Sequence, residues 1–333
     1  MSKLMERVLK ASGNPYADVF DKSKIVSGTL EYITTPIPML NVALSGKWDG
    51  GLTPGLTVIA GKSKHFKSLL GLQLVKAFLD KHADGVCVYL DSELGFGKGY
   101  LEGNGIDPSR IAHIPVTNIE EAKFQLVSMI EETKPTDNVI FFFDSIGNSA
   151  SKKELDDAVD QKSVADMSRA KSLKSFFRIV TPMVNLKKHY FVCINHIYSG
   201  QGLYPIDIMS GGQGPELSAN TIFFMGRSKD KEGTEVVGFK FNIKIEKSRY
   251  VKEGMKFPLE VSFEKGIDLK SGLFDFAVDH GFIEKPSQGW YTRPTVPGDK
   301  KWRLKEIEET PDFWDPILTD EFKRMYEKEY ALN

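Results

Sequence analysis

A polar loop that follows a short apolar stretch contains the residues best suited to bind phosphate. Gly61, Lys67 and Ser68 keep the spacing of a phosphate-binding loop between a strand pattern and a helical pattern. In such a loop backbone N–H groups hold phosphate oxygens, the lysine reaches the β and γ phosphates of ATP, and the serine hydroxyl binds magnesium. The residues predicted to contact the nucleotide are Gly61, Lys62, Ser63, Lys64, His65, Phe66, Lys67, Ser68 and Leu69.

Phe66 departs from this motif, which has glycine at the corresponding position. Glycine allows backbone angles and a close approach to the ligand that phenylalanine resists. A surface loop with a chance Lys-Ser pair therefore stays open as an alternative on the motif alone.

Acidic residues follow two later apolar stretches, where a nucleotide site in an open α/β sheet recruits its other groups. Asp144 ends one stretch and is predicted to support the magnesium ion together with Ser68. Asp91 and Glu93 end another, and Glu93 is the carboxylate placed to deprotonate the water that attacks the γ phosphate. The alternatives are ordinary turn residues and a solvated acid, because aspartate and serine favour strand ends.

Apolar strands alternate with helical patterns through the middle of the chain. The predicted strands cover 56–61, 86–91, 138–144 and 190–195, and the predicted helices cover 69–80, 119–132 and 164–184. The last helix has Met167, Ala170, Leu173, Phe177 and Val180 on one face. This alternation predicts an α/β fold with a mostly parallel, buried sheet flanked by helices.

The two ends of the chain depart from that alternation. Residues 2–11 put Leu4, Met5, Val8 and Leu9 on one helical face, and the sequence SGNP then breaks the helix. After about residue 265 the alternation stops. We therefore predict an N-terminal element at 1–33, a core at 34–265 and a small C-terminal domain at 266–333.

Composition gives few functional clues of its own. The chain has 333 residues, is 41% hydrophobic and 27% charged, and carries a net charge of −1, so any DNA contact must come from a local basic surface. Cys87 and Cys193 lie in apolar strands without metal-binding spacing and are predicted to be buried and reduced. The absence of a long apolar segment predicts a cytoplasmic protein.

The order of four segments resembles the ATPase core of the RecA family of recombinases: GKSKHFKS, YLDSELGFGKGY, FFFDSIGNS and VCINH. The resemblance continues through IEKSR at 245–249 and GIDLKSGLFDFAVDHGFIEK at 266–285, so it covers nearly the whole chain. It is strongest to the UvsX-type recombinases of tailed bacteriophages, which also have phenylalanine before the Lys-Ser pair. The resemblance implies a RecA-type core with a short N-terminal helical element and a small α/β C-terminal domain.

The resemblance also implies roles for individual residues. Glu93 corresponds to the activating glutamate, Asp144 to the magnesium-supporting aspartate and Tyr100 to the tyrosine that stacks on the base. His196 corresponds to the position that senses the γ phosphate. Lys247 and Arg249 match the pair that reaches the ATP of the adjacent subunit and stabilises charge there.

Two long segments, 149–171 and 198–220, resemble the DNA-binding loops of the family. Glycines give the second segment conformational freedom, and Gly211 and Gly212 are its predicted DNA-binding residues. Four basic residues on the polar side of the last predicted helix, opposite its apolar face, are predicted to line a channel for the DNA backbone: Arg169, Lys171, Lys174 and Arg178. An ordinary surface loop and a solvated helix face remain the alternatives.

These features predict an ATP-dependent recombinase that polymerises on single-stranded DNA and exchanges strands with double-stranded DNA in recombination, repair and replication. The N-terminal element is expected to dock on a neighbouring copy and propagate a helical filament. A recombination mediator and a single-strand-binding protein are expected partners. A RecA-fold helicase and a nucleotide-gated DNA coat protein are the alternatives, and a small-molecule phosphotransferase fits least well.

Overall fold

The computed structural model describes residues 1–23, 25, 30–160, 168–200 and 207–332. The chain divides into two compact units. The first unit comprises Met1–Tyr32, Thr53–Val58 and Gly71–Asn220, and the second comprises Ile33–Leu52, Ile59–Leu70 and Thr221–Asn333. Parts of both predicted DNA-binding segments, 161–167 and 201–206, lie outside the described residues, as does Met167 of the predicted apolar helix face.

Helices and strands alternate along the described chain. The helices are α1 (Lys3–Ser12), α2 (Pro38–Ser45), α3 (Lys67–Lys81), α4 (Lys98–Gly103), α5 (Ile119–Glu132), α6 (Lys152–Val159), α7 (Ser168–Lys187), α8 (Gly214–Ser218), α9 (Leu273–Asp279), α10 (Leu304–Glu309) and α11 (Asp320–Tyr330). The strands are β1 (Gly55–Gly61), β2 (Val86–Asp91), β3 (Ile111–Pro115), β4 (Val139–Asp144), β5 (Tyr190–Ser199), β6 (Asp207–Met209), β7 (Thr221–Glu232), β8 (Glu235–Ser248), β9 (Lys256–Ser262), β10 (Gly266–Ile267), β11 (Glu284–Ser287) and β12 (Trp290–Thr292).

The first unit is built around parallel strands in the order β5, β4, β2, β3. Strand β4 is buried along its whole length, as its unbroken run of apolar residues requires. Strands β1, β2, β4 and β5 and the helices α3 and α5 agree with the predicted ranges, so the predicted α/β fold is confirmed, whereas β3 was not predicted. Cys87 and Cys193 are buried free thiols, as predicted, and burial raises the pKa of both.

Helix α7 begins with Ser168 in the described chain and packs against α5. Leu173, Phe177 and Val180 are buried as predicted, with Phe176 and Val184 beside them. Ala170 is exposed, so its placement on the buried face was wrong. The reason is that the buried face of α7 starts at position 173, one helical turn after position 170, and continues through 176, 177, 180 and 184.

The second unit contains antiparallel strands in the order β7, β8, β9, β10. Their residues alternate between buried and exposed positions along β8, as in a sheet with one covered face. Trp48 belongs to the same unit and packs edge-on against Phe322 and Tyr326 of α11, with ring centroids 5.8 Å and 5.6 Å away. The Trp48 backbone N–H donates to the Glu327 carboxylate at 2.6 Å.

No helix among the described residues is long and apolar enough to cross a membrane.

An ion pair organises the loop that follows β12. The Arg293 guanidinium donates to both carboxylate oxygens of Asp299, at 2.8 Å and 3.1 Å, and the Trp302 indole N–H donates to the same carboxylate at 3.1 Å. Burial alone would raise the pKa of Asp299, but the bonds from Arg293 and Trp302 outweigh burial and lower that pKa to about 2. The pair therefore stabilises the folded chain most when Asp299 is ionised.

We expect Asp299→Asn to lower the free energy of unfolding by about 2 kcal/mol at neutral pH, because it removes the charge that the folded state favours. The folded-state pKa lies below the model-compound value of 3.8, so this contribution is complete above that pH and disappears as pH falls towards 2. Urea unfolding followed by tryptophan fluorescence measures it. Asp315→Asn, at an exposed position, is the control, and equal stability of Asp299→Asn and the unsubstituted chain at pH 7 would contradict the prediction.

Candidate functional site

The predicted phosphate-binding loop belongs to the second unit, between the buried end of β1 and the first turn of α3. Gly61 lies against β7, and a Cβ there would be 3.0 Å from Met225 Cβ and 3.1 Å from the Met225 carbonyl oxygen. The close approach of β7 therefore favours glycine at this position. The loop residues 62–66 are exposed or half-buried, and the chain becomes buried again at Lys67.

Lys67 is the first residue of α3, and its side chain is folded back over the loop. Its ammonium donates to the Lys62 carbonyl oxygen at 2.9 Å, and the residue is only 6% exposed. Ser68 follows on the same helical turn. A lysine ammonium, a serine hydroxyl and the N–H groups of a helix N-terminus form a donor set that suits phosphate oxygens and a hard cation, so these residues fit a magnesium-bound nucleotide.

Phe66 adopts the backbone conformation that glycine favours, with φ of +64°, and Lys64 does likewise with φ of +63°. Such angles cost a residue with a side chain about 1–2 kcal/mol. The Phe66 ring stacks on Phe241 of β8, with centroids 4.8 Å apart. Arg227 of β7 donates to the Lys64 carbonyl at 2.8 Å. Contacts with β7 and β8 thus stabilise a loop conformation for which the motif normally uses glycine.

Three acidic residues, here called the acidic cluster, lie at the carboxyl edge of the parallel sheet in the first unit: Asp91, Glu93 and Asp144. Asp91 and Asp144 are register partners at the ends of β2 and β4, and both are buried. The Asp91 carboxylate accepts the backbone N–H groups of Glu93 and Leu94 at 3.0 Å and 2.7 Å, which fixes the turn that carries Glu93. His113 of β3 contacts the other Asp91 oxygen at 3.0 Å.

Glu93 and His196 are brought together, as a site made from both requires. His196 Nε2 lies 3.4 Å from Glu93 Oε1 and 3.3 Å from the Ser145 hydroxyl. The Ser145 hydroxyl donates to Glu93 Oε1 at 2.7 Å, and the Asn148 amide donates to the same oxygen at 2.8 Å. Sequence reasoning missed Ser145 and Asn148, although both directly follow the strand that ends at Asp144. Polar residues in the turn after a buried strand were the available signal.

Tyr100 lies on α4 in the first unit and is partly exposed. Its ring stacks on Phe96 with centroids 4.9 Å apart and an interplanar angle of 8°. Burial and the charge of Asp144 raise the pKa of the Tyr100 hydroxyl. The Tyr100 hydroxyl therefore lies near enough to the acidic cluster for the charge of Asp144 to act on it. The Tyr100 ring lies parallel to the ring of Phe96.

The basic residues of α7 separate into two groups. Lys171, Lys174 and Arg178 are exposed and recur every three or four residues, which places them along one side of the helix. Arg169 is half-buried and donates to backbone carbonyls of the turn at 146–149. The predicted DNA role of all four residues stays a prediction.

The described ends of the two predicted DNA-binding segments lie in the first unit. Ser168 donates to the Ser151 hydroxyl at 2.9 Å, which joins the start of α7 to the residue that caps α6. Gly211 and Gly212 follow β6 with φ of +90° and +71°. In the second unit, Lys247 lies near the end of β8 and Arg249 is exposed just beyond it.

Comparison with known proteins identifies relatives of the chain. A family model for the C-terminal domain of the bacteriophage T4 recombination and repair protein matches residues 271–325. The T4 protein itself is 40% identical to the chain over 340 aligned positions, which cover 98% of this chain and 86% of the T4 protein. The RecA protein of Malacoplasma penetrans is 22% identical over 80% of this chain and 81% of its own length, and that of Streptomyces venezuelae is 25% identical over 86% and 75%.

These similarities, together with the parallel core, place the chain in the class of RecA-type proteins. Within that class the chain belongs to the UvsX family of recombination and repair proteins, the family of the phage T4 protein.

We expect Phe66→Gly to be more stable than Phe66→Ala by about 1 kcal/mol, because glycine relieves the positive φ that alanine retains. Both variants lose the ring contact with Phe241 and should be less stable than the unsubstituted chain. Urea unfolding measures the difference. The same pair of substitutions at Ser63, where φ is not positive, is the control and should show the ordinary order with alanine at least as stable. An alanine variant at position 66 that matches or exceeds the glycine variant would show that the loop is unstrained.

Proposed function

We propose that the protein is an ATP-dependent recombinase that polymerises on single-stranded DNA and catalyses homologous pairing and strand exchange. The observation that carries this proposal is the contact between Glu93 and His196. It joins the proposed base for ATP hydrolysis to the strand β5, which leads directly into the second proposed DNA-binding segment. A link between these two sites is what a DNA-dependent ATPase needs. Membership of a family of recombination proteins supports the same function.

In the proposed reaction Lys67 binds the β and γ phosphates, and the backbone N–H groups at the start of α3 hold the phosphate oxygens. Ser68 and Asp144 would hold magnesium, which would supply positive charge beside the phosphates. Glu93 orients the attacking water and accepts its proton. His196 lies against Glu93 and Ser145, so a change at the γ phosphate reaches β5 through one side chain. Tyr100 provides a flat ring for the base.

DNA binding is proposed for the segments 149–171 and 198–220 together with the exposed side of α7. Lys171, Lys174 and Arg178 supply positive charge for the DNA backbone, which makes binding weaken as salt concentration rises. The exposed apolar residues Leu4 and Val8 of α1 supply a surface for docking on a second copy. A mediator and a single-strand-binding protein are proposed as further partners, by analogy with the family.

Glu93→Gln should abolish most hydrolysis while leaving assembly on DNA intact, because it removes the base but keeps the size of the side chain. Loss of a general base typically reduces turnover by about 10²–10⁴. The measurement is ATP hydrolysis with and without single-stranded DNA, combined with sedimentation of the protein–DNA complex. Glu102→Gln, which changes an exposed glutamate on α4, is the matched control.

In this assay the proposal requires that DNA stimulates the unsubstituted chain and that Glu93→Gln sediments with DNA but does not turn over. ATP turnover that does not depend on DNA would refute the proposed recombinase function. Normal turnover by Glu93→Gln would refute the assignment of the base and leave the family membership untouched.

Lys247 and Arg249 are proposed to act on the ATP of an adjacent copy, which a mixing experiment tests. Arg249→Ala and Glu93→Gln should each be inactive alone, since a charge-stabilising arginine is typically worth about 10³–10⁵ in rate. In an equal mixture about a quarter of the interfaces would pair an intact Glu93 with an intact Arg249 of the neighbour, given a head-to-tail contact. Recovery of turnover on mixing is the expected result, with Lys247→Ala behaving in the same way. A mixture no more active than its components would place both residues outside the neighbour's site.

A further inference from the structure

One carboxylate oxygen of Glu93 accepts two short hydrogen bonds in this structure, and His196 Nε2 lies 3.4 Å from the same oxygen. The Ser145 hydroxyl lies 2.7 Å from Glu93 Oε1 and the Asn148 amide lies 2.8 Å from it. A carboxylate oxygen has about two lone-pair sites, so these two hydrogen bonds fill them. A general base takes the proton of water at such a lone pair. With both donors in place, the lone pairs of Oε1 are engaged and the carboxylate is held in one orientation.

The position of Asn148 depends on Arg169. The Arg169 guanidinium donates to the Gly147 carbonyl at 2.7 Å, to the Ser149 carbonyl at 2.9 Å and to the Ile146 carbonyl at 3.1 Å. These carbonyls belong to the residues on both sides of Asn148. One rigid, forked side chain thus fixes the turn from which the Asn148 amide reaches Glu93.

Arg169 also makes one of the contacts between the two proposed DNA-binding segments in the first unit. It is the second residue of α7 and belongs to the segment 149–171. Its guanidinium also contacts the Ser210 hydroxyl, in the segment 198–220, at 3.2 Å. Ser210 in turn donates its backbone N–H to the His196 carbonyl at 2.8 Å and accepts the Asn195 amide at 2.9 Å. A displacement of either segment would therefore change the contacts of the Arg169 guanidinium.

We propose that Asn148 is a positioning residue that restrains Glu93 in the DNA-free chain, and that Arg169 couples this restraint to DNA. The inference rests on the proposed DNA-dependent hydrolysis. DNA phosphates and the three carbonyls compete for the same guanidinium, and a phosphate is the stronger acceptor because it is charged. When Arg169 leaves the turn, Asn148 loses its anchor and withdraws from Glu93. Glu93 then takes the proton of the attacking water.

The test is ATP turnover of Asn148→Ala, with and without saturating single-stranded DNA. DNA-free turnover should rise about tenfold, the effect of one hydrogen bond to a charged group at the lower end of its usual range. Turnover with saturating DNA and the KM for ATP should stay unchanged, because DNA has already removed the restraint in the unsubstituted chain. A variant that merely damaged the fold would lose turnover in both conditions and unfold at lower temperature.

Asn138→Ala is the matched control. The Asn138 amide also donates to a carboxylate, that of Asp84, at 2.8 Å, but it precedes β4 while Asn148 follows that strand. The control should leave both turnover rates unchanged. Asn148→Gln keeps the amide donor and should restore part of the restraint. Arg169→Lys keeps the charge but loses the fork, so its DNA-free turnover should also rise.

The outcomes separate the inference from the proposed function. If DNA stimulates turnover of the unsubstituted chain but Asn148→Ala shows no rise in DNA-free turnover, the proposed restraint of Glu93 is wrong. The proposed recombinase function is unaffected by that outcome. If Asn148→Ala, folded and able to bind DNA, loses turnover with DNA, Asn148 assists the reaction and the restraint is again overturned. If the unsubstituted chain ignores DNA, the proposed function fails and the inference fails with it.

Discussion

The arrangement of the acidic cluster depends on a small set of hydrogen bonds between the turns that follow β2 and β4. The Ser92 backbone N–H donates to the Asp144 carbonyl at 3.0 Å, and the Ser92 hydroxyl donates to the Ser145 carbonyl at 2.7 Å. The Ser145 backbone N–H returns a hydrogen bond to the Ser92 hydroxyl at 3.1 Å. These bonds extend the parallel register beyond the ends of the strands. Because of them, Glu93 on one turn lies within reach of Ser145 and Asn148 on the other.

Parallel sheets make this arrangement possible because every strand ends at the same edge. Register pairs Asp91 with Asp144, and each carboxylate then has a different task that its surroundings determine. Asp91 accepts two backbone N–H groups and faces His113, so its side chain is committed to holding a turn. Asp144 ends the fully buried strand β4, next to the turn that carries Ser145. Two residues with the same side chain thus support the site in different ways.

Much of this could be predicted from the sequence, because burial and periodicity are local properties. The four predicted strands and the helix at 119–132 follow from apolar runs and helical spacing. The antiparallel strands β7 to β9 were not predicted, although the residues of β8 alternate between buried and exposed positions. The prediction relied on the βαβ pattern, which ends before these strands. Of the site, Glu93 and His196 could be named from strand ends and from the resemblance. Asn148 and the inward role of Arg169 could not, because the direction of a side chain in a turn depends on contacts made by distant segments.

Phe66 shows how the same limit applies to the phosphate-binding loop. From the sequence, phenylalanine in place of glycine counts against the motif, because a side chain disfavours positive φ. The structure retains the positive φ and supplies a stacking partner, Phe241, from a strand 175 positions later in the chain. An aromatic contact of this kind contributes about 0.5–1.5 kcal/mol beyond its buried area, which is comparable to the strain of one such residue. Phe66 therefore keeps the backbone conformation that the motif requires. The stacking contact with Phe241 stabilises this conformation in place of the freedom of a glycine.

The division of labour along α7 follows from burial. Lys171, Lys174 and Arg178 are exposed, and their charges face solvent or a polyanion without any loss of hydrogen bonds within the chain. Arg169 already satisfies four acceptors in the first unit, so moving it to a phosphate exchanges one set of hydrogen bonds for another. In the proposed recombinase, exposed cations on this helix would add affinity for DNA, whereas the half-buried Arg169 would convert binding into a rearrangement. A chain with a net charge of −1 would then respond to DNA through a few well-placed side chains.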